Sequence, residues 1–353
     1  MKPVYLCGRG LASTLGLDLS VSLRAMRQGN SPATRCVLPG DMSGSFPYHT
    51  IPYQNTDWDA RASELVRHVA KEAGVPQKNH GALFIATSSF DIGAFDADNL
   101  PLDYTLFATK VASWLAWSGP VYVISTACTS GINALLAAHA LLRAGDVEEA
   151  LVLGIELENK TTLGGFAALQ LLSSDCSKPF GLHRDGLVLG EAVAALRLST
   201  RETSPWQMLG GANVVDGRTL TGASASAIVH MYQRAWAASG MTADAIDLIK
   251  VQAAGSPSND AIEAQGLRAA YTKMPALVSL KATLGHTMGA SGAAEIALLM
   301  ACLEQRVWPQ HTADVDETLG VNLAPDMPVF VRHVMATILG FGGGHATVVL
   351  KHA

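Results

Sequence analysis

The feature that most constrains this chain of 353 residues is a pattern stated twice. Residues 83–86 form an apolar strand ending at Thr87-Ser88-Ser89, and residues 249–253 form another ending at Ala254-Gly255-Ser256. Residues 121–124 run into a turn of small residues and then a helix over 130–144. Residues 277–280 run into 281–289 and then a helix over 290–305. A third pair, 187–198 and 337–350, is β-rich and punctuated by glycine in both copies. Three pairs in the same order, spaced by roughly 150–165 residues, predict two similar α/β halves meeting face to face. Mixed sheets covered by helices follow from the strand–helix–strand connections. The boundary is placed near 200–205, where polar residues and proline cluster, giving halves 1–200 and 201–353. A ligand site is expected between them, where strand-to-helix turns converge.

Composition removes several function classes. Apolar residues make up 49% and charged residues 16%, which excludes a disordered chain. A net charge of -5 argues against nucleic-acid binding. The five cysteines include no CxxC pair, so neither a disulfide framework nor a zinc site is expected, and a reducing cytoplasm is the default compartment. No cofactor and no metal are expected. Residues 111–142 contain no Asp, Glu, Lys or Arg, a stretch long enough to span a bilayer. Turn residues at Ser118-Gly119-Pro120 and across 125–131 divide it, so a buried strand and a buried helix are expected in place of a membrane span. The apolar run after Lys2 is too short for a signal peptide.

Four motifs carry chemistry. In Ile124-Ser125-Thr126-Ala127-Cys128-Thr129-Ser130-Gly131, a strand enters a tight turn and then a helix. Cys128 would sit at a helix N-terminus, where the dipole and free N–H groups favour a thiolate. An isolated cysteine is more often a small buried hydrophobe; the strand–turn–helix setting favours a nucleophile. The second motif runs from Lys281 through Gly285-His286 to Glu295. A glycine-rich turn exposes His286 toward a substrate, a buried Lys281 needs an anion, and Glu295 on the next helix supplies it. The positive lysine would bias His286 toward its neutral form. Arg184-Asp185-Gly186 reads as a salt-bridged structural turn. Gly340-Phe341-Gly342-Gly343-Gly344 is a loop that can approach a ligand or build an oxyanion hole, with Phe341 as a movable gate.

Together these residues resemble the β-ketoacyl-acyl-carrier-protein synthases of the thiolase-like superfamily. The resemblance runs through nearly the whole chain, from residues 4–16 and the Gly29-Asn30-Ser31 turn to Gly340-Phe341-Gly342-Gly343. It implies an α/β fold, the thiolase-like five-layer α-β-α-β-α sandwich of two similar halves, and a dimer. It also implies that Cys128 is the nucleophile that takes an acyl chain from a carrier-protein thioester. His286 matches the second of the family's two histidines, Lys281 and Glu295 its supporting pair, and Phe341 its gating aromatic, with Gly342 and Gly343 beside the substrate.

The first histidine of the family pattern is absent. Where the family has Asn-Ala-His-Gly-Thr, this chain has Gln252-Ala253-Ala254-Gly255-Ser256. Ala254 offers no donor, and losing one donor to a developing oxyanion costs on the order of 10²–10³ in rate. Only His230 and His345 stand out as possible substitutes. The chain is also shorter than is usual for the family, and the segment Asp57-Trp58-Asp59-Ala60-Arg61 is partly acidic where relatives often carry basic residues for the carrier protein; Arg67 and Lys71 make only a weak patch. The expected role is a partner subunit of an active ketosynthase in fatty-acid or polyketide biosynthesis, resembling chain-length factors. Its expected partners are acyl carrier protein and a ketosynthase, with no nucleic acid. A non-elongating acyltransferase and a complete elongating synthase are the alternatives. A lipid-degrading thiolase is discounted, because residues 339–345 contain no second cysteine.

Overall fold

The computed structural model describes residues 2–29, 33–38, 44–53, 55, 57–76, 79–98, 103–311 and 313–353; Asn30 and Ser31 of the expected turn lie outside them. The strands are β1 (Val4–Ser13), β2 (Thr34–Leu38), β3 (Gly44–His49), β4 (Ala82–Ala86), β5 (Val121–Ile124), β6 (Glu149–Glu156), β7 (Leu189–Gly190), β8 (Ala192–Ser199), β9 (Trp206–Val215), β10 (Leu248–Lys250), β11 (Ala276–Val278), β12 (His333–Gly340) and β13 (Gly344–His352). The helices are α1 (Leu19–Arg27), α2 (Trp58–Glu72), α3 (Ile92–Asp98), α4 (Tyr104–Trp114), α5 (Ser130–Ala144), α6 (Lys160–Ala168), α7 (Ala225–Ser239), α8 (Pro257–Ala270), α9 (Lys281–Leu284) and α10 (Ser291–Gln305).

The strand order β5-β4-β6-β8-β1 is repeated as β11-β10-β12-β13-β9. In each set the first three strands are parallel and the last two antiparallel. A short antiparallel contact, Val4 with Met208 and Tyr5 with Gln207, joins the two sets into one ten-stranded sheet. Residues 200–205 link β8 to β9.

Both faces of this sheet are buried, and the side chains alternate accordingly. Along β4, Ala82, Phe84 and Ala86 join one core, while Leu83 and Ile85 join another. Along β12, Val334, Ala336 and Ile338 share that first core, while Met335 and Leu339 face a third. The shared core is filled by α5 and α10, through Ile132, Leu135, Ala138, Ala294, Ala297 and Leu298. Helices α2 and α4 cover one outer face through Leu65, Val66, Val69, Phe107 and Val111. Helices α7 and α8 cover the other through Ile228, Met231, Tyr232, Ala264 and Leu267. The result is five layers, α-β-α-β-α.

Three strand expectations change in detail. The strand expected over 249–253 stops at Lys250, because the N–H groups of Gln252 and Ala253 leave the ladder and bond the Glu263 carboxylate, each at 2.7 Å. The segment 187–198 is broken at Glu191, whose N–H bonds the His49 carbonyl and whose carboxylate holds Arg61. The segment 337–350 is two arms of a hairpin, and β8 corresponds to its second arm, β13. The charge-free stretch 111–142 divides into the end of α4, then β5 and α5; among the described residues no helix is long and apolar enough to cross a membrane.

The layers meet most closely where α5 and α10 begin. A Cβ on Gly131 would lie 2.9 Å from the Ala293 nitrogen, and one on Gly292 would lie 2.6 Å from the Ile132 nitrogen. Backbone touches backbone there, with no side chain to yield. Gly292→Val is expected to destabilise the protein by about 1–3 kcal/mol, the usual range for overpacking. The check is a lower urea midpoint at unchanged m-value; an unchanged midpoint would contradict the contact.

Candidate functional site

The turn after β5 is tight enough to place a non-glycine residue, Ala127, at φ +51°. Such backbone is costly and persists only where neighbours hold it. Here the Ser130 hydroxyl donates to the Ala127 carbonyl at 2.6 Å, and the Thr129 hydroxyl to the Thr126 carbonyl at 2.6 Å. Cys128 follows, one residue before the α5 N-cap, and is 5% exposed.

His286 lies in the turn between α9 and α10 and is locked to the chain around β7: its N–H donates to the Val188 carbonyl at 2.7 Å, and its carbonyl accepts from Gly190 at 3.1 Å. The contact of α5 with α10 brings the two turns together, leaving Cys128 Sγ 3.0 Å from His286 Nε2. The other ring nitrogen, Nδ1, is 3.0 Å from Lys281 Nζ. Lys281 also donates to Ser291 Oγ at 3.0 Å and to the Glu295 carboxylate. With all three of its protons directed outward, Lys281 acts as an ammonium donor to Nδ1. The ring proton therefore sits on Nε2 and points at the sulfur.

Sequence reasoning missed one member of this row. Lys250, at the end of β10, donates to Glu295 Oε2 at 2.7 Å and to the Thr337 carbonyl at 2.7 Å. The available signal was a charged residue closing an apolar strand flanked by parallel neighbours on both sides.

The electrostatics follow from burial. Burial, then Lys281 and Lys250, keep the His286 imidazole neutral well below its usual range. Burial would raise the Glu295 carboxyl, but its two lysines hold it low. Burial pushes Lys250 down to about 8. The Cys128 thiol is pushed up to about 11 by burial, against the pull of Lys281, the Phe341 N–H and its own N–H. Those two N–H groups converge on the sulfur.

Ala254 lines the same cavity as Cys128, His286 and Phe341. Its N–H and carbonyl are bound by Asp260 and Ser177, so only a methyl faces the space. Neither candidate substitute reaches it. His345 Nδ1 donates to the Gly343 carbonyl at 2.6 Å and its Nε2 accepts from the Ser224 N–H at 3.1 Å; His230 is exposed on α7. Gln252, also missed, lines the cavity with Oε1 buried and unpaired. Burial raises Asp260 to about 6 and Glu263 to about 7, where both hold the backbone of this turn.

Phe341 stacks on Phe166 of α6, with ring centroids 5.3 Å apart. Gly343 beside it has φ +73°, and a Cβ there would meet the Asp216 carbonyl at 1.8 Å. The cavity is about 40 Å³, room for ordered water but not for an acyl chain. No group of three or more His, Cys, Asp or Glu side chains among the described residues is placed to hold a metal.

Two surface readings gain detail. The Arg184-Asp185-Gly186 turn is salt-bridged as expected, Arg184 to Asp316 at 2.6 Å and Asp185 to Lys178 at 3.7 Å. In the segment beginning at Asp57, Asp57 caps α2 and Arg61 is buried on Glu191, so neither side chain is free for docking.

Residues 83–204 match the family model for the beta-ketoacyl synthase N-terminal domain, and residues 209–313 that for its C-terminal domain. The chain is 29% identical over 259 residues to 3-oxoacyl-[acyl-carrier-protein] synthase 2 of Vibrio cholerae, covering 66% of this chain and 62% of that relative, under two thirds of its length. A ketosynthase in complex with its chain length factor from Xenorhabdus doucetiae superposes with a TM-score of 0.85 at 22% identity, over 100% of this chain and 98% of the other. The ishigamide ketosynthase/chain length factor superposes with a TM-score of 0.86 at 20% identity, over 100% and 99%. At these identities the two solved structures share the fold.

A thiol held near 11 beside a neutral imidazole gives a definite pH signature. Iodoacetamide should modify Cys128 slowly at pH 7 and steadily faster up to pH 10, with no step near the ordinary histidine range. Site-resolved mass spectrometry would read this, and a plateau below pH 7 would mean a thiolate–imidazolium pair instead.

Proposed function

The chain belongs to the β-ketoacyl synthase family, and on that premise we propose that it takes acyl groups from carrier-protein thioesters onto Cys128. We further propose that it condenses them poorly alone and serves as the chain-length-factor-like partner of an active ketosynthase. The observation that carries this reading is the contrast within one cavity: an intact row from Cys128 to His286, Lys281 and Glu295 faces a bare methyl at Ala254.

Loading is a thioester exchange. Cys128 Sγ attacks the acyl carbonyl, the bond to the carrier sulfur breaks, and the carrier leaves as a thiol that takes up the proton Cys128 gives away. The N–H groups of Cys128 and Phe341, which converge on the sulfur, would serve as donors to the oxyanion. His286 adds a third donor through Nε2. Condensation asks more, because decarboxylation of a malonyl thioester develops a second anion, the enolate. With one imidazole for both tasks, the rate is lowered by about 10²–10³. The cavity must widen to admit an acyl chain, and Phe341, stacked on Phe166 and followed by glycines, is placed to swing.

The partner role draws on the sheet edge. β5 ends the strand order with Tyr122 41% exposed, and Val121, Val123 and Ile124 only partly covered. Such an apolar edge invites strand addition. It leads straight into the exposed Ser125 and Thr126, so a second subunit lying there would reach the nucleophile turn. Free cysteines throughout suit a reducing cytoplasm. A non-elongating acyltransferase uses the same loading step and differs in needing no partner.

The purified chain, given acyl- and malonyl-carrier protein, should gain an acyl mass on Cys128 and release no elongated product at ordinary rates. Cys128→Ala should abolish the adduct, and Ala254→His should raise elongation at least tenfold. Rapid elongation by the unaltered chain would overturn the partner role. An adduct that persists in Cys128→Ala would overturn the nucleophile.

A further inference from the structure

Glu295 carries more positive charge than it balances. Lys250, Lys281 and Glu295 are each 0% exposed, and the two lysines take one carboxylate oxygen apiece. Lys281 alone would neutralise the acid. The second ammonium, arriving from β10, leaves one unbalanced positive charge in a part of the core closed to bulk solvent. Its other near contact is a neutral carbonyl, that of Thr337 on β12. From α8 it faces Glu263, whose carboxyl burial raises to about 7, so its charge is only partly developed at neutral pH. From the far side Cys128 faces Glu156, which burial also raises and which Ser88, Ser89 and the Gly289 N–H hold in place.

We infer that Lys250 is a positioning residue of the Cys128 site: by occupying Oε2 of Glu295 it leaves a positive charge at the lysine end of the row. That charge holds His286 as a neutral donor and draws negative charge onto the Cys128 sulfur and the oxygen of a bound acyl thioester. The inference rests on Cys128 being the acyl acceptor. It also supplies what the methyl at 254 withholds, since a site short of one donor gains from a fixed charge that needs no reorganisation. The charge works through Lys281 and His286, and Lys250 itself touches neither sulfur nor substrate.

The test needs no acyl substrate, so it can fail while acyl transfer to Cys128 holds, and the reverse. Iodoacetamide modification of Cys128 would be followed in the full chain at pH 7, with Cys7 and Cys176 as internal references. Lys250→Gln loses the charge but keeps an amide donor on a side chain one atom shorter; Lys250→Met loses both charge and donor. Each should slow Cys128 about tenfold, equal to one pKa unit, and leave Cys7 and Cys176 unchanged. Glu295→Gln should act in the opposite direction and speed the reaction. Between Lys250→Gln and the unaltered protein the gap should close by pH 10, where burial has already discharged Lys250. An unchanged rate in Lys250→Gln, or slowing in Glu295→Gln, would make Lys250 a structural brace and overturn the inference. Should the variants fail to fold, the unaltered protein decides. As Lys250 loses its charge between about pH 7.5 and 9, the logarithm of the rate should climb by less than one per pH unit. A uniform unit slope would sink the idea.

Discussion

The meeting of α5 and α10 backbone to backbone is the constraint on which the rest of the molecule depends. Each helix follows a tight turn, and each turn carries one half of the Cys128–His286 pair, Cys128 before α5 and His286 before α10. Gly131 and Gly292 allow the helix starts to approach with no side chain between them. The repeated strand order places those turns on opposite sides of one core, and the glycine contact closes the distance to 3.0 Å. A wider crossing would leave two separate turns and no site.

The charges beyond the histidine are held by the same architecture. Buried lysines are expensive and persist only with partners, and α10 brings Glu295 one helical turn beyond Ser291 to face both. Lys281 then fixes which nitrogen of His286 bears the proton. The assignment is geometric: three acceptors surround one ammonium, so the imidazole can only receive on that side. Burial keeps the ring neutral and keeps the thiol protonated at rest.

Much of this was legible in the sequence, for identifiable reasons. The helix over 130–144 coincides with α5, because a Leu/Ala-rich run follows the small-residue turn and Gly145 ends it in the left-handed region. Strand–turn–helix grammar located Cys128 and His286, and the need of a buried lysine for an anion joined Lys281 to Glu295. Less was visible where a backbone leaves its ladder for a side chain. Glu263 ends β10 three residues early, and Glu191 splits a strand that reads as continuous. The first is a carboxylate accepting two backbone N–H groups, the second a backbone N–H turned to a distant carbonyl, and sequence spacing announces neither. Lys250 was missed for a related reason: it stood second in the strand expected over 249–253, and only the parallel strands on both sides show that it is buried beside Glu295. The Arg184-Asp185 turn is salt-bridged as its sequence suggests, while the partners, Asp316 and Lys178, are visible only in the fold.

The fixed direction of the His286 proton has a consequence for selectivity. An imidazole committed to donating through Nε2 has no available lone pair there with which to collect the proton of Cys128. In the proposed acyl transfer the site would therefore offer little general-base help, and attack by Cys128 would depend on how readily the departing group leaves unaided. A thiol leaves at nearly the same cost as the cysteine that replaces it, whereas an alcohol or an amine leaves far less readily. On that reading esters and amides of the same acyl chain would go unreacted, so the chemistry of the leaving atom would sort substrates before the shape of the pocket does.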